Sequence, residues 1–306
     1  MLENNSDNSY NHNNDRPKTK FIGFDISLFK KKQGAKNGAD YKNRSAYVTM
    51  TYIHVRDADS SSHYDDNIRG NRNGMNIVGL SFGGIFVPIN WLNINKNFTF
   101  YGNFVGQQNS HGNNQYRSTE AYGMYIEPGY TFSNLSWKPH IFYRYTRFSG
   151  NKNPNGTVKR SYDPFFLIDG KRYTYGGYWP GEIVGMYMVG LSNLQIQQFD
   201  ITAVPPIHFF TKDDSLTLGV HFYNLSLIHP TGAGFKRGSS HHISNEIDFS
   251  GEYNLDENTS FSLLGGVAFS GPVAKKLAIN DAPKYVSPNQ IGSTSGVLEA
   301  YFYKHF

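Results

Sequence analysis

The chain has 306 residues, no cysteine, 22 tyrosines and 23 phenylalanines, and a formal charge of +5. No stretch approaches the roughly 18 to 20 consecutive apolar residues of a membrane helix, which excludes a helical membrane protein. Lysine and arginine are scattered through polar segments such as Arg69 to Arg72 and Lys236 to Arg237 rather than gathered on one element, so the basic pI of about 9.0 does not point to nucleic acid.

Taken in chain order, Met1 to Thr19 is Asn-rich and charged and reads as a disordered polar segment. It has no apolar stretch of the kind a secretory signal contains, which leads us to expect either a start further upstream or the C-terminal part of a longer protein. From residue 20 to 306 the pattern changes to alternation. Phe21 to Lys30, Ser45 to Arg56, Met75 to Phe86, Asn97 to Gln107, Glu120 to Phe132, Lys138 to Phe148 and Gln195 to Pro205 read as strands. Ser215 to Leu225 places Leu216, Leu218, Val220 and Phe222 on one face and Thr217, Gly219, His221 and Tyr223 on the other. Asn245 to Asn254 and Ser260 to Phe269 form a hairpin about the turn Asp256-Glu257-Asn258, and Gly296 to Phe306 is the last strand. The total is about eleven strands of roughly the 9 to 11 residues that a tilted membrane crossing needs.

Apolar residues on one face and polar residues on the other define an all-β, transmembrane, antiparallel up-and-down β-barrel. Its connections sort by length. Ser133 to Trp137, Thr211 to Asp214 and Asp256 to Asn258 are short, whereas Asp57 to Asn73, Ser149 to Leu194, Ile228 to His242 and Ser270 to Ser295 are long and mostly polar. An odd strand number cannot close an ordinary bacterial barrel, so the parity requires missing strands or one more strand, for which Gly181 to Gly190 is the candidate.

A family resemblance enters with Ser-Tyr-Asp-Pro-Phe-Phe at Ser161 to Phe166, Tyr-Thr-Tyr-Gly-Gly at Tyr173 to Gly177, and Gly190-Leu191-Ser192-Asn193-Leu194. These resemble the large-loop signature of the alginate export family of outer-membrane barrels. Asn245-Glu246-Ile247-Asp248 with Tyr253-Asn254-Leu255, then Leu264-Gly265-Gly266 and Phe269-Ser270-Gly271-Pro272, is similar to that family's penultimate hairpin. The resemblance runs from Phe142 to Phe306 and reaches the earlier strands by pattern alone. It implies a monomeric barrel of about eighteen strands, of which this chain supplies the last eleven or twelve. It further implies a bacterial outer-membrane location and passage of polysaccharide or another hydrophilic solute. The terminal aromatics Phe302 and Phe306 resemble the signal read by the outer-membrane barrel assembly machinery. Lys304 departs from it, since a cation on the lipid side must reach into the headgroups.

The alternation assigns Asp25, Glu127, Asp200, Glu246, Asp248, Glu252 and Glu299 to the interior with Arg144 and His221, and these are the candidate pore-lining residues. Acids outnumber bases there, whereas a polyuronate calls for a basic track. Lys159, Arg160, Lys171 and Arg172 in the long loop are the residues available to supply one. Asp163-Pro164-Phe165-Phe166 reads as a fold-back packed at the barrel rim, with a constriction that includes Lys171 and Arg172 as the functional alternative. Glu246, Asp248 and Glu252, spaced about 6 to 7 Å apart along one face, could be taken for a glycosidase pair, but the reading the pattern favours is acids lining a watery pore. No cofactor is implied, and adjacent His241 and His242 lack a third metal ligand. Two other functions compete with a channel: a non-conducting scaffold or adhesion barrel, and an outer-membrane phospholipase. The second would need Ser110-His111 or Ser239-Ser240-His241-His242, where nothing orients the base.

Overall fold

The computed structural model describes residues 20–31, 44–56, 72–85, 97–110, 118–153, 155–163, 181–185, 190–256, 258–281 and 293–304. Met1 to Thr19, Pro164, Phe165, Phe166, Lys171, Arg172 and Phe306 lie outside the described residues. The strands are β1 (Lys20–Lys31), β2 (Arg44–Arg56), β3 (Asn76–Ile85), β4 (Phe98–Asn109), β5 (Ser118–Thr131), β6 (His140–Phe148), β7 (Val158–Lys159), β8 (Leu194–Ala203), β9 (Ser215–Leu227), β10 (His242–Asp256), β11 (Thr259–Ser270) and β12 (Thr294–Lys304). One helix, α1 (Pro272–Asp281), follows β11.

Eleven strands form one antiparallel sheet in sequence order, with β1 and β12 at its two edges and the two-residue β7 paired in parallel with the start of β5. Each long strand falls where alternation places one. The pairing keeps apolar residues on a single face from strand to strand: Phe222 lies opposite Phe199 on β8 and Ile247 on β10, and Phe261 lies opposite Phe302 on β12. A slip of one residue anywhere would drive this set to the other face, so the pattern fixes the register.

The outer face is exposed and greasy. Ile22, Val48, Leu80, Phe104, Phe199, Val220 and Leu263 all stand on it. Toward the short-turn end it is edged with aromatics, including Trp137, Phe209 and the Phe261–Phe302 pair, whose rings are 4.9 Å apart. Lys304 sits at that end opposite Thr259, and its ammonium donates to the Thr259 hydroxyl at 2.7 Å.

The inner face has two tiers. At mid-height it is polar, with Asn103, Glu127, Arg144, Gln198, Asp200, His221, Asp248 and Ser250 all buried. Nearer the long loops it becomes apolar, with Ile77, Val105, Ile196, Leu225 and Ile243 pointing inward. Tyr162, Ile183, Val184 and Leu191 from the long loop, with Val273 and Ala274 of α1, pack on that upper tier. Burial of a large aliphatic or aromatic side chain is worth about 1.5 to 3 kcal/mol, and this is what draws the loop inward.

Gly181 to Gly190 corrects the sequence reading. Its described part, Gly181–Gly185, is no strand: it forms a single π-helical turn against the inner face of β10 and β11. Pro180 directly precedes it, and a Pro-Gly step favours a turn over a ladder.

Candidate functional site

The mid-height polar belt runs across six neighbouring strands, β4 to β6 and β8 to β10, because inward positions at one level of the sheet are brought together by the register. On β5 and β6, the Arg144 Nε donates to Glu127 Oε2 at 2.7 Å and its Nη2 contacts the same oxygen. The guanidinium also lies 5.1 Å from the Tyr125 ring centre and 5.6 Å from that of Phe142. Arginine suits this place, since its weakly hydrated plane bonds a carboxylate and stacks on rings together.

On β8 and β9, His221 Nδ1 lies 3.0 Å from Asp200 Oδ2, which also accepts from Gln198 Nε2 at 2.8 Å. The other ring nitrogen of His221 is 2.8 Å from Ser250 Oγ on β10. Gly219, opposite Ser250, keeps this space open, because a Cβ there would come within 2.6 Å of His221 Nε2. Serine, histidine and aspartate thus stand in the order of a hydrolytic relay. The strands that carry these three offer no oxyanion hole, because amides of a central strand lie in the plane of the ladder, not toward the inner face.

Glu246 and Asp248 face inward and are covered. Glu246 accepts from the amides of Ile183 (2.7 Å) and Val184 (2.9 Å), and Asp248 accepts from the amide of Glu182 (3.0 Å). The first amides of any helical turn lack partners within the turn, and a side-chain carboxylate is the usual remedy. Gly181 makes the fit possible. Its φ is +97°, a region that favours glycine, and a Cβ would stand 2.6 Å from the Glu246 carboxylate. We call this contact the latch. The Glu182 carboxyl, half-buried beside it, is raised above its ordinary pKa by burial and then by the charges of Glu299 and Glu246.

A second anchor holds the start of the loop. Arg72 donates through Nε (2.6 Å) and Nη2 (2.9 Å) to the two oxygens of Asp163. Gln107 on β4 closes a pair with the Asp163 backbone, accepting its amide at 2.9 Å and donating to its carbonyl at 2.8 Å. Lys159 is buried nearby, where burial lowers its pKa, Arg72 lowers it further and Asp163 opposes. Asp163 is therefore a tie between loop and wall.

The remaining predicted positions are less enclosed. Asp25 is exposed on edge strand β1, Glu252 is half-buried and accepts from Asn254, and Glu299 on edge strand β12 accepts from the Tyr301 hydroxyl. His241 Nδ1 donates locally to the Leu227 carbonyl, 2.8 Å away. Sequence reasoning missed Arg72, Gln107, Gln198, Ser250 and Gly181. Of these only Gly181 carried a signal, the Pro180-Gly181 step.

A two-faced antiparallel sheet with grease outside, polar groups inside, short turns at one end and long loops folded inward at the other defines a protein of the outer-membrane β-barrel class. The model of the alginate export family matches residues 44–286. The chain belongs to that family of outer-membrane barrels. A search of curated proteins gives no match.

Proposed function

We propose that this chain forms a channel through which a polysaccharide or another hydrophilic solute crosses the outer membrane. The observation that carries the reading is the polar belt set inside an apolar wall, since a barrel that only anchored loops would have no use for charged side chains at mid-height. In lipid, open sheet edges leave amides unpaired at several kcal/mol each, so β1 and β12 are paired in the membrane, with one another or with strands outside this sequence. The inward-folded loop and its latch stand in the path. On this reading the resting channel is narrowed by the turn Gly181–Gly185 and conducts when the latch releases. Phe302 and Phe306 serve assembly.

The experiment is planar-bilayer recording on the full chain, wild type beside a latch variant. Current in either supports the channel. Membrane-inserted, heat-modifiable protein that carries no current even when residues 149–194 are deleted would sink it and leave the scaffold reading.

A further inference from the structure

Two clefts meet on the outside of the wall at its long-loop end. The lower one, of about 610 Å³, is lined by outward residues of β3 to β6, among them Val78, Phe104, Tyr122 and Arg147, and by Arg160. The upper one, of about 1060 Å³, lies between residues 151–160 and 228–241 and shares Arg160, Ile228 and His229 with the first. Among the described residues its lining holds Lys152, Arg160, Lys236 and Arg237 with no carboxylate.

Apolar wall and cations meet along this path. Val78 and Phe104 belong to the exposed apolar wall, Arg147 and Arg160 line the same lower cleft, and Lys152, Lys236 and Arg237 line the upper one. The Arg147 guanidinium hydrogen-bonds to Tyr122 and Tyr145, while its Nε is buried with no hydrogen-bond partner. Glu120 is the carboxylate of the lower cleft, 3.4 Å from Arg160, and both side chains are more than half exposed, so that pair is weak and displaceable. His229 reports the local field: burial lowers its pKa, and so do Lys152 and Arg147.

We propose that these clefts bind a phosphorylated amphiphile of the surrounding leaflet, with acyl chains along Val78 and Phe104 and phosphate between Arg147, Arg160 and the loop cations. Phosphate supplies the acceptor oxygens that a buried, unpartnered guanidinium Nε requires, and arginine binds it in a fork. An amphiphile fits better than a free polysaccharide, whose hydroxyls would lose water against Val78 and Phe104 without return. The site is on the lipid side of the wall and does not depend on the channel reading.

The test places the full chain in nanodiscs of phosphatidylcholine doped with either a bisphosphorylated glycolipid or its dephosphorylated form. Lipid retained on the protein is counted by native mass spectrometry. Wild type should retain the phosphorylated form at least about tenfold more, and Arg147→Gln with Arg160→Gln should remove about that factor, since loss of one charge-assisted bond suffices for a change of that order. Lys236→Gln with Arg237→Gln, confined to an exposed loop, should lower retention without touching the wall. Lys212→Gln at the opposite end should change nothing. Equal retention of the two glycolipids overturns the proposal. So does displacement by inorganic phosphate, which would mark a site for any anion, or by a uronate oligomer, which would mark a site for cargo.

Discussion

Replacing Glu246 by Ala should open the latch without unfolding the sheet. Glu246 is fully buried and bonds two buried amides, and Asp248 holds the third. Removal leaves the Ile183 and Val184 amides unpaired in the closed state, at about 1 to 3 kcal/mol each, whereas in the open state water bonds them. Taking the lower figure for both, about 2 kcal/mol, the open fraction rises by roughly thirtyfold. Hydrogen exchange at 183 and 184 should quicken by that factor, while amides in the ladder between β10 and β11 keep their protection. Glu246→Gln, which retains one acceptor oxygen, should fall between. Gly181→Ala should reach the same end by another route, through strain at φ +97° and collision with the carboxylate. Exchange at 183 and 184 within about twofold of wild type in a folded Glu246→Ala protein would refute the reasoning, because an unpaired buried amide cannot be that cheap.

Three further outcomes follow from other parts of the fold. Arg72→Ala leaves buried Asp163 without its bidentate partner and should destabilise by about 3 to 5 kcal/mol in urea titrations, with Arg72→Lys recovering only part. Val220→Arg, at mid-height of the outer face, should cost about 2 to 4 kcal/mol when unfolding is measured from lipid vesicles, and an unchanged value would place that face away from lipid. At the turn before β9, burial works to raise the Asp214 carboxyl, yet the amides of Thr211 and Phe210, the Tyr253 hydroxyl and the His208 ring outweigh it and hold the group well below its usual range. A depressed carboxylate contributes stability that is complete above its unfolded pKa of about 3.9 and is lost as pH falls toward its folded value. Acid unfolding scans below about pH 4 should therefore be flatter for Asp214→Asn than for wild type, and parallel curves would remove Asp214 from the account.

Most of the wall was legible in the sequence because a period-two pattern with one lipid face leaves little freedom: Leu218, Val220 and Phe222 can point only one way if His221 and Tyr223 point the other. The inward set of charges followed from the same parity. What those charges touch did not. Arg72 and Asp163 are 91 residues apart, and the Ile183 amide is 63 residues from Glu246, so no local pattern joins them. The alternation also could not reveal the apolar upper tier, because an inward Ile77 or Leu225 reads as one irregular position until Ile183 and Leu191 arrive from a distant loop to cover it. Gly181 to Gly190 misled for a related reason: Ile183, Met186 and Met188 are apolar, but Ile183 serves that packing and makes no ladder.

The interior acids are spread unevenly over the wall, and a difference in ion selectivity should result. Glu127 is balanced by Arg144, Asp163 by Arg72, and Asp200 faces His221, all on β4 to β9 or the loop against them. On β10 to β12, Glu246, Asp248, Glu252 and Glu299 gather with Glu182 as a group of acids, while exposed Lys152, Arg160, Lys236 and Arg237 gather outside at the loop end. An open pore with that wall should favour cations. Glu252→Gln with Glu299→Gln spares the latch and removes two negative charges, so the reversal potential across a salt gradient should move toward anions. The shift should be clear near 0.1 M salt and fade near 1 M, as the screening length falls from about 10 Å to about 3 Å. Glu127→Gln should move it the same way by releasing the charge of Arg144, whereas Phe249→Leu on the lipid face should leave it in place. A double variant that conducts with an unchanged reversal potential at low salt would mean that ions do not pass along β10 to β12, and the path would have to lie against the balanced half of the wall.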